Sequence, residues 1–477
     1  MINLNYQYQI NNYRIKKLNG KFLLTTDHGS WLFLTSKEFV LLESHLVHKN
    51  LKLFKKLEEV GIIITLQNKK NIINSLRERY NYLSPGPSLH ILIPTLRCNL
   101  KCIYCHASSK PIDAKGFDMD EVTAKKTVDF IFQTPSPSIT IEFQGGEPLL
   151  KFDLIKYIIA YSKNVNKRYK KNVAFSVVTN LTLMDEEKFN YFLKEEIGIC
   201  TSLDGQKSLH DNNRHFSNKT GTHETVEKWI KRFNEAYEKK GSNLRTNALI
   251  TITRKSLGYS KQIVDEYISL GLKTLHLRFL NNLGDARPVW NNIGYSSDEF
   301  IKFWKNSVDY IFELNKKGVK IRERTIAFMA KKTLTGSDAN FLDMRTPCGA
   351  IIGQLAYTPD GSIYTCDEAR MTGDDLFKVG NVVEDTYKKV LSSDKSCSMV
   401  MSSINDCQIC DSCVYKPYCG ICPVCNYMEQ GSIVANIPET SRCKIYMAQF
   451  DYIFSKLSNP KEVSILKSWI DEMNKKI

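Results

Sequence analysis

Leu89-His-Ile-Leu-Ile-Pro94, followed after Thr95-Leu-Arg by Cys98-Asn-Leu-Lys-Cys102-Ile-Tyr-Cys105, decides the reading of this chain. The first six residues are a short apolar run closed by proline, the pattern of a buried strand. The loop behind it carries three cysteines at C-x3-C-x2-C spacing. Four thiolates would fill every iron corner of a cubane cluster or close a tetrahedral zinc site, whereas three leave one metal position open to a substrate or cofactor. The competing reading joins Cys98, Cys102 and Cys105 to His106 as a zinc site.

At 477 residues, with a hydrophobic share of 42%, the chain is globular and long enough for two or three domains. Met1 to Leu18 lacks the apolar stretch of a signal peptide and no run is long enough to span a bilayer, which predicts a cytoplasmic protein without a membrane partner. In that compartment fourteen cysteines argue for metal or redox work rather than disulfides. Cys200, inside the apolar run Ile197 to Leu203, is expected instead to be a buried strand residue acting as a small hydrophobe. The net charge of +15 would suit a nucleic-acid binder, but the lysines are scattered over surface-like helix positions and form no nucleic-acid-binding module. The same surface would attract an acidic peptide, or be only a solvated exterior.

Residues 1 to 85 carry strand-like pieces at Phe22 to Thr25 and Trp31 to Leu34. Helical spacing follows through Phe39, Leu42 and Leu46 and through Leu53, Phe54 and Leu57, ending at Val60-Gly-Ile-Ile-Ile64. Strands followed by short helices predict a winged-helix-like domain. Ser84-Pro-Gly-Pro87 reads as a linker. From residue 86 to 290, strands are expected at Leu89 to Pro94, Ser138 to Phe143, Val173 to Val178, Ile197 to Leu203, Thr246 to Thr253 and Thr274 to Leu280, with helices between them. The clearest helical stripe is Val226, Trp229, Ile230, Phe233 and Tyr237, at core-facing spacing. Six such units predict an α/β fold built on a parallel partial (β/α)6 barrel of TIM type, whose working residues belong on loops at the carboxyl ends of the strands. Residues 291 to 345 read as bridging helices, 346 to 450 as a cysteine-rich domain and 451 to 477 as a C-terminal helix.

After the second barrel strand comes Gln144-Gly-Gly-Glu-Pro148, in which Gly145 and Gly146 let the backbone approach a ligand and Glu147 offers a carboxylate to an ammonium group. Thr179-Asn180 ends the third strand; the fourth ends in Ser202-Leu-Asp-Gly205, followed by His210-Asp-Asn-Asn-Arg214. Together with the three-cysteine loop one strand earlier, this constellation resembles the radical S-adenosylmethionine (SAM) enzymes. The resemblance implies a [4Fe–4S] cluster on Cys98, Cys102 and Cys105 whose open iron is chelated by SAM. It further implies that Gly145, Gly146 and Glu147 hold the methionine amine, that Thr179 and Asn180 lie near the ribose, and that Tyr104 lies near adenine. Ser202 and Arg214 would grip the methionine carboxylate, a task suited to a forked guanidinium. One electron from the reduced cluster would cleave SAM to methionine and a 5′-deoxyadenosyl radical that abstracts hydrogen from an unactivated C–H bond. Taken singly, His210 and Asp211 read equally as residues that fix a loop, and Asp204 as a cap.

A second field of cysteines begins at Cys348. The hairpin Leu355-Ala-Tyr-Thr-Pro-Asp-Gly-Ser-Ile-Tyr-Thr-Cys366 folds back at its Pro-Asp-Gly turn; Cys407, Cys410, Cys413, Cys419, Cys422, Cys425 and Cys443 follow. This resembles the SPASM extension of peptide-maturing radical SAM enzymes. Gly361 and Cys366 fit its G-x4-C element, and Cys410, Cys413 and Cys419 fit its C-x2-C-x5-C element. Cys422 arrives one residue early, and Cys407 and Cys425 are extra. The resemblance implies one auxiliary [4Fe–4S] cluster on Cys410, Cys413, Cys419 and Cys443. A second would take Cys348, Cys366 and Cys422, with Cys407, Cys425 or no residue as fourth ligand. A zinc ribbon is the competing reading of this field. Asp367 sits where some SPASM enzymes keep a general base, and an ion pair within Asp367-Glu-Ala-Arg370 is the alternative.

Over nearly the whole chain, segments such as Thr95-Leu-Arg-Cys98, Thr201-Ser-Leu-Asp-Gly205 and Pro417-Tyr-Cys-Gly-Ile-Cys-Pro423 look most like the B-type maturase of the His-Xaa-Ser peptide system. That likeness implies a ribosomally made precursor peptide as substrate, whose leader adds a strand to the N-terminal domain, and a reductant such as flavodoxin or ferredoxin. The product would be a ring or crosslink, carbon–carbon (including cyclopropane) or thioether. The alternatives are a sulfatase-type formylglycine maturase and a non-catalytic iron–sulfur electron carrier or peptide-binding protein.

Overall fold

The hairpin that opens the fold is written in two residues, Asn19-Gly20, both in the left-handed region at φ 50° and 76°, the turn that matches the twist of antiparallel strands. The computed structural model describes residues 8–242, 244–406 and 409–475, so Cys407 lies outside it. Around that turn, β2 (Tyr13–Leu18) pairs with β3 (Lys21–Thr26), and β3 with β4 (Trp31–Leu34), in an antiparallel sheet; β1 (Gln9–Ile10) pairs with β5 (Ile63–Ile64). The helix Ser36–Glu43 starts in a capping box of Thr35 and Glu38, and Leu51–Glu59 is capped by Asn50, each cap satisfying main-chain amides the helix leaves open. Neighbouring residues of β3 point to opposite faces: Leu24 enters a small core with Leu42, Leu53 and Phe54, whereas Leu23 enters the main core of the molecule. The N-terminal unit is therefore bonded to the body through its own central strand.

The body is built on a nine-stranded sheet in the order β12-β10-β9-β8-β7-β6-β14-β15-β16. Its parallel strands are β6 (Leu89–Thr95), β7 (Ser138–Gly145), β8 (Asn172–Thr179), β9 (Gly198–Ser202), β10 (Asn247–Thr251) and β12 (Leu277–Arg278). The expected sixth strand, Thr274 to Leu280, is split. Arg278 N–H bonds back to the His276 carbonyl at 2.9 Å, which kinks the chain there, and β11 (Thr274–Leu275) leaves to pair with β13 (Arg322–Glu323).

Alternation along β7 to β10 buries Ile141, Phe143, Val177, Ile199 and Ile250 under the helices, while Glu142, Ser176, Cys200, Ser202 and Thr251 line a partly open polar face. Cys200 is thereby corrected. It is half-buried on the polar face, with Glu142, Arg324 and Arg278 as its charged neighbours, because its register along β9 places it opposite the apolar Ile199.

The helix His223–Lys239 buries Val226, Trp229, Ile230, Phe233 and Tyr237, and the bridging helix Ser297–Lys316 buries Phe300, Phe303, Trp304, Val308 and Ile311. The anticipated hairpin is present as β14 (Gln354–Tyr357) and β15 (Ser362–Tyr364), extended by β16 (Lys378–Asn381). It does not stand apart. Strand β14 runs parallel to β6, from Gln354 opposite Leu89 to Tyr357 opposite Leu92, so the cysteine-rich region extends the same sheet. A boundary at residue 450 falls inside the helix Ser441–Lys456; the chain breaks at Asn459, which caps the following helix Pro460–Asn474.

Candidate active site

The three-cysteine loop leaves β6 and is fixed from several sides. Arg97 donates to Asp118 through Nε at 2.7 Å and Nη2 at 2.6 Å, Ile103 N–H bonds the Asn213 carbonyl at 3.0 Å, and Asp285 N–H bonds the Cys105 carbonyl at 2.9 Å. The two glycines after β7 work against this loop. A Cβ at Gly145 would lie 2.3 Å from the Thr95 carbonyl oxygen and one at Gly146 2.2 Å from that of Arg97. In their place, Gly146 N–H and Glu147 N–H bond those carbonyls at 3.0 and 2.8 Å. The expected close approach is thus made to the cysteine loop itself.

Two polar networks flank the sulfurs. In the first, the buried Glu147 carboxylate accepts from the Thr179 hydroxyl at 2.7 Å, Asn180 N–H at 2.8 Å and Leu149 N–H at 3.0 Å, and burial pushes its carboxyl up to about 7. The Asn180 side chain then reaches Cys98 Sγ at 3.9 Å. In the second, buried Asp204 accepts from the Tyr104 hydroxyl, from Arg214 Nε at 3.2 Å and from Asn213 Nδ2 at 3.2 Å. Arg214 Nη1 points on to Cys102 Sγ at 3.8 Å, with its guanidinium 5.1 Å from the Tyr104 ring centre. Asp204 is the hub that the sequence reading took for a cap; the aspartate inside Ser202-Leu-Asp-Gly205 was the available signal. Ser202 closes β9 one residue before this turn. His210 and Asp211 do fix the loop: His210 bonds Asp204 N–H and the Thr222 hydroxyl, and Asp211 accepts from Thr222 and His223 N–H.

The donor set fits an iron–sulfur group. Burial pushes the Cys102 thiol up to about 12 and Cys98 higher, so these sulfurs ionise only against a metal's charge, and amide and guanidinium donors are already directed at them. His106 Nε2 donates to the Asn281 carbonyl at 3.1 Å, which fixes the ring, and burial holds it neutral, pushed down to about 4.

In the second field, Cys410, Cys413, Cys419 and Cys443 line one largely apolar cavity, which Cys422 also borders. Cys348 and Cys366 neighbour Cys422, and Cys425 bonds Cys422 directly; Arg442 Nη2 donates to Cys425 Sγ at 3.2 Å. Among the described residues no three ligating side chains group tightly enough for a single metal ion. Asp367 starts a short helix, and its carboxylate is bound by Arg370 Nε at 2.7 Å, the ion pair that competes with a base role.

The site and fold define the class. Residues 92–258 match the profile of the radical SAM superfamily and residues 348–414 that of the SPASM iron–sulfur cluster-binding domain. The chain belongs to the radical SAM enzymes and carries a SPASM domain; its cofactors are SAM and [4Fe–4S] iron–sulfur clusters. A cysteine-type anaerobic sulfatase-maturating enzyme of Clostridium perfringens is 25% identical, over 79% of this chain and 98% of that one. The structure of anSMEcpe with bound AdoMet superposes with a TM-score of 0.66 at 22% identity, covering 81% and 99% of the two chains. Streptococcus suis SuiB bound to its precursor peptide SuiA superposes at 0.52 and 14% identity, covering 90% and 98%. No described helix is long and apolar enough to cross a membrane.

Proposed function

We propose that this enzyme modifies a ribosomally made precursor peptide, removing hydrogen from a side chain or α carbon and closing a ring or crosslink. The observation that carries this is the N-terminal unit. Residues 8–63 carry a small core of their own, and this unit is bound to the cysteine-rich region through Arg14 and Thr25. We read them as a winged-helix-like leader-docking domain, in which an extended leader adds a strand beside β2 or β4. The six parallel strands read as a partial barrel with the chemistry at its carboxyl end.

The cofactor pair supplies a 5′-deoxyadenosyl radical that takes a hydrogen atom. The chain's own residues bind and orient: Glu147 offers a carboxylate to the methionine amine, Arg214 a guanidinium to its carboxylate, and the Tyr104–Asp204 pair fixes that guanidinium. Cys410, Cys413, Cys419 and Cys443 would hold one auxiliary cluster, and Cys348, Cys366, Cys422 and Cys425 the other, with electrons from a flavodoxin or ferredoxin.

The test is a search of the gene's neighbourhood for a short reading frame with a repeated core motif, then co-expression with it and mass spectrometry of the peptide. Loss of two hydrogens from the peptide is the expected result, and an unchanged peptide overturns the reading. Formylglycine formation is the second reading, favoured by the Clostridium perfringens relative. Conversion of a cysteine-bearing sulfatase peptide, with none of the precursor, would establish it.

A further inference from the structure

A cleft opens where three parts of the chain meet: the end of the helix Lys69–Arg79 with Tyr82 beyond it, the end of the helix Arg324–Thr335 with Ser337 beyond it, and the loop of Asp338 and Arg345. No cysteine is among its lining residues.

The cleft sets three cations against one carboxylate. Arg345 is matched: Nε and Nη2 both donate to Asp338, the former at 3.1 Å, Nη2 also reaches Asn340 Oδ1 at 3.0 Å, and the guanidinium lies 4.4 Å from the Tyr82 ring centre. Buried Lys332 donates to the Met344 carbonyl rather than to an acid. Arg79 is only 7% exposed, yet it makes no hydrogen bond or ion pair among the described residues. His28 has both Arg79 and Asp27 as charged neighbours, but Asp27 is taken by Arg14 at 2.7 Å.

A buried arginine is almost always paired, because a lone charge is costly to remove from water. Arg79 can still be reached. None of its guanidinium nitrogens is shut off from solvent, and the residue lines the cleft. It is also held in place. A Cβ at Gly29 would lie 2.3 Å from Nη1, so the missing side chain there makes room for the guanidinium. The Tyr418 ring centre stands 5.7 Å away, and its hydroxyl is fixed on the Gly29 carbonyl at 3.0 Å. A fixed, unpaired fork is suited to gripping two oxygens of an anion at once.

We propose that this cleft is an oxyanion site, in which Arg79 grips a carboxylate or phosphate group with Lys332 as the second cation. The site goes beyond the peptide-modifying reading: it makes no use of the precursor, and an unchanged precursor mass leaves it standing.

The test uses the anaerobic holoenzyme saturated with SAM, so that the methionine subsite is filled, and saturation-transfer NMR on the methyl protons of acetate, methylphosphonate and acetamide. At least one anion is expected to show transfer fivefold or more above the neutral acetamide. The stronger anion identifies the group, and equal response shows that the site reads the oxygens the two share. Two variants are expected to lower the signal at least fivefold with iron content and SAM binding unchanged: Arg79→Gln, which removes the fork, and Ser337→Glu, which places a carboxylate at an exposed edge of the cleft. No excess of either anion over acetamide in the wild type overturns the proposal; that is the result for a cleft that holds only water. An excess that survives in Arg79→Gln also overturns it, and where that variant fails to fold, survival in Ser337→Glu does so.

Discussion

Arg14, on β2 of the N-terminal unit, donates through Nε to the main-chain carbonyl of Asp411 at 2.5 Å and through Nη2 to its carboxylate at 3.2 Å. Asp411 stands between Cys410 and Cys413. Thr25 extends the same clasp to the Val414 carbonyl at 2.7 Å, and Tyr418 returns a bond to the Gly29 carbonyl at 3.0 Å. The small domain therefore grips the loop that carries half of one cysteine set. Arg14→Gln, which removes a guanidinium only 4% exposed, is expected to lower stability by about 1–3 kcal/mol and to reduce the iron retained by the Cys410 set, read by denaturant unfolding and iron assay.

Asp204→Asn should act on SAM rather than on the cysteines. The asparagine keeps the shape but leaves the Arg214 guanidinium buried without its counter-charge and the Tyr104 hydroxyl without its carboxylate. SAM affinity is expected to fall roughly 10- to 100-fold, about 1.4–2.7 kcal/mol, while iron content stays at the wild-type level. Calorimetric titration with SAM checks this.

Glu323 gives a pH dependence away from the cysteines. It is fully buried, caps the helix Arg324–Thr335 by accepting from Ile326 N–H at 2.8 Å, and burial pushes its carboxyl up from 4.5 to about 7. The folded state holds this proton more tightly than the unfolded one, so the contribution is complete below pH 4.5. It is lost as pH rises towards 7 and amounts to about 3 kcal/mol. Glu323→Gln should remove that loss, visible as a smaller difference between urea unfolding at pH 5 and at pH 8.

Cys425→Ser and Cys407→Ser separate the open ligand position. Cys425 bonds Cys422, which neighbours Cys348 and Cys366, so Cys425→Ser is expected to lose the iron of one cluster and its electron paramagnetic resonance signal. Cys407→Ser should leave both unchanged; the opposite pattern would reassign the ligand.

Ile199→Ala and Cys200→Ala test the two faces of β9. Ile199 is 1% exposed in the main core, and its truncation is expected to cost about 2–5 kcal/mol. Cys200, on the polar face, should cost less than about 1 kcal/mol on thermal unfolding.

Much of the site was legible because its pieces are local. C-x3-C-x2-C, Gly145-Gly146-Glu147 and Ser202-Leu-Asp-Gly205 each sit within a few residues at a strand end, and the alternation of strand and helix orders those ends along one edge. Apolar runs also marked where the barrel strands lie. They misled at Cys200, where Ile199 and Ile197 mask a residue that faces the other way, and residues 13–18 were missed, where lysines hide a strand despite Asn19-Gly20.

The sequence by itself determined the chemical class, since the identity and spacing of thiols, glycines and a carboxylate survive any rearrangement of the domains around them. Only the tertiary structure decided that β14 adds to β6 and that Arg14 reaches Asp411 nearly four hundred residues away. Those relations depend on how separately patterned surfaces pack, and a one-residue shift of register would turn each of these side chains to another face.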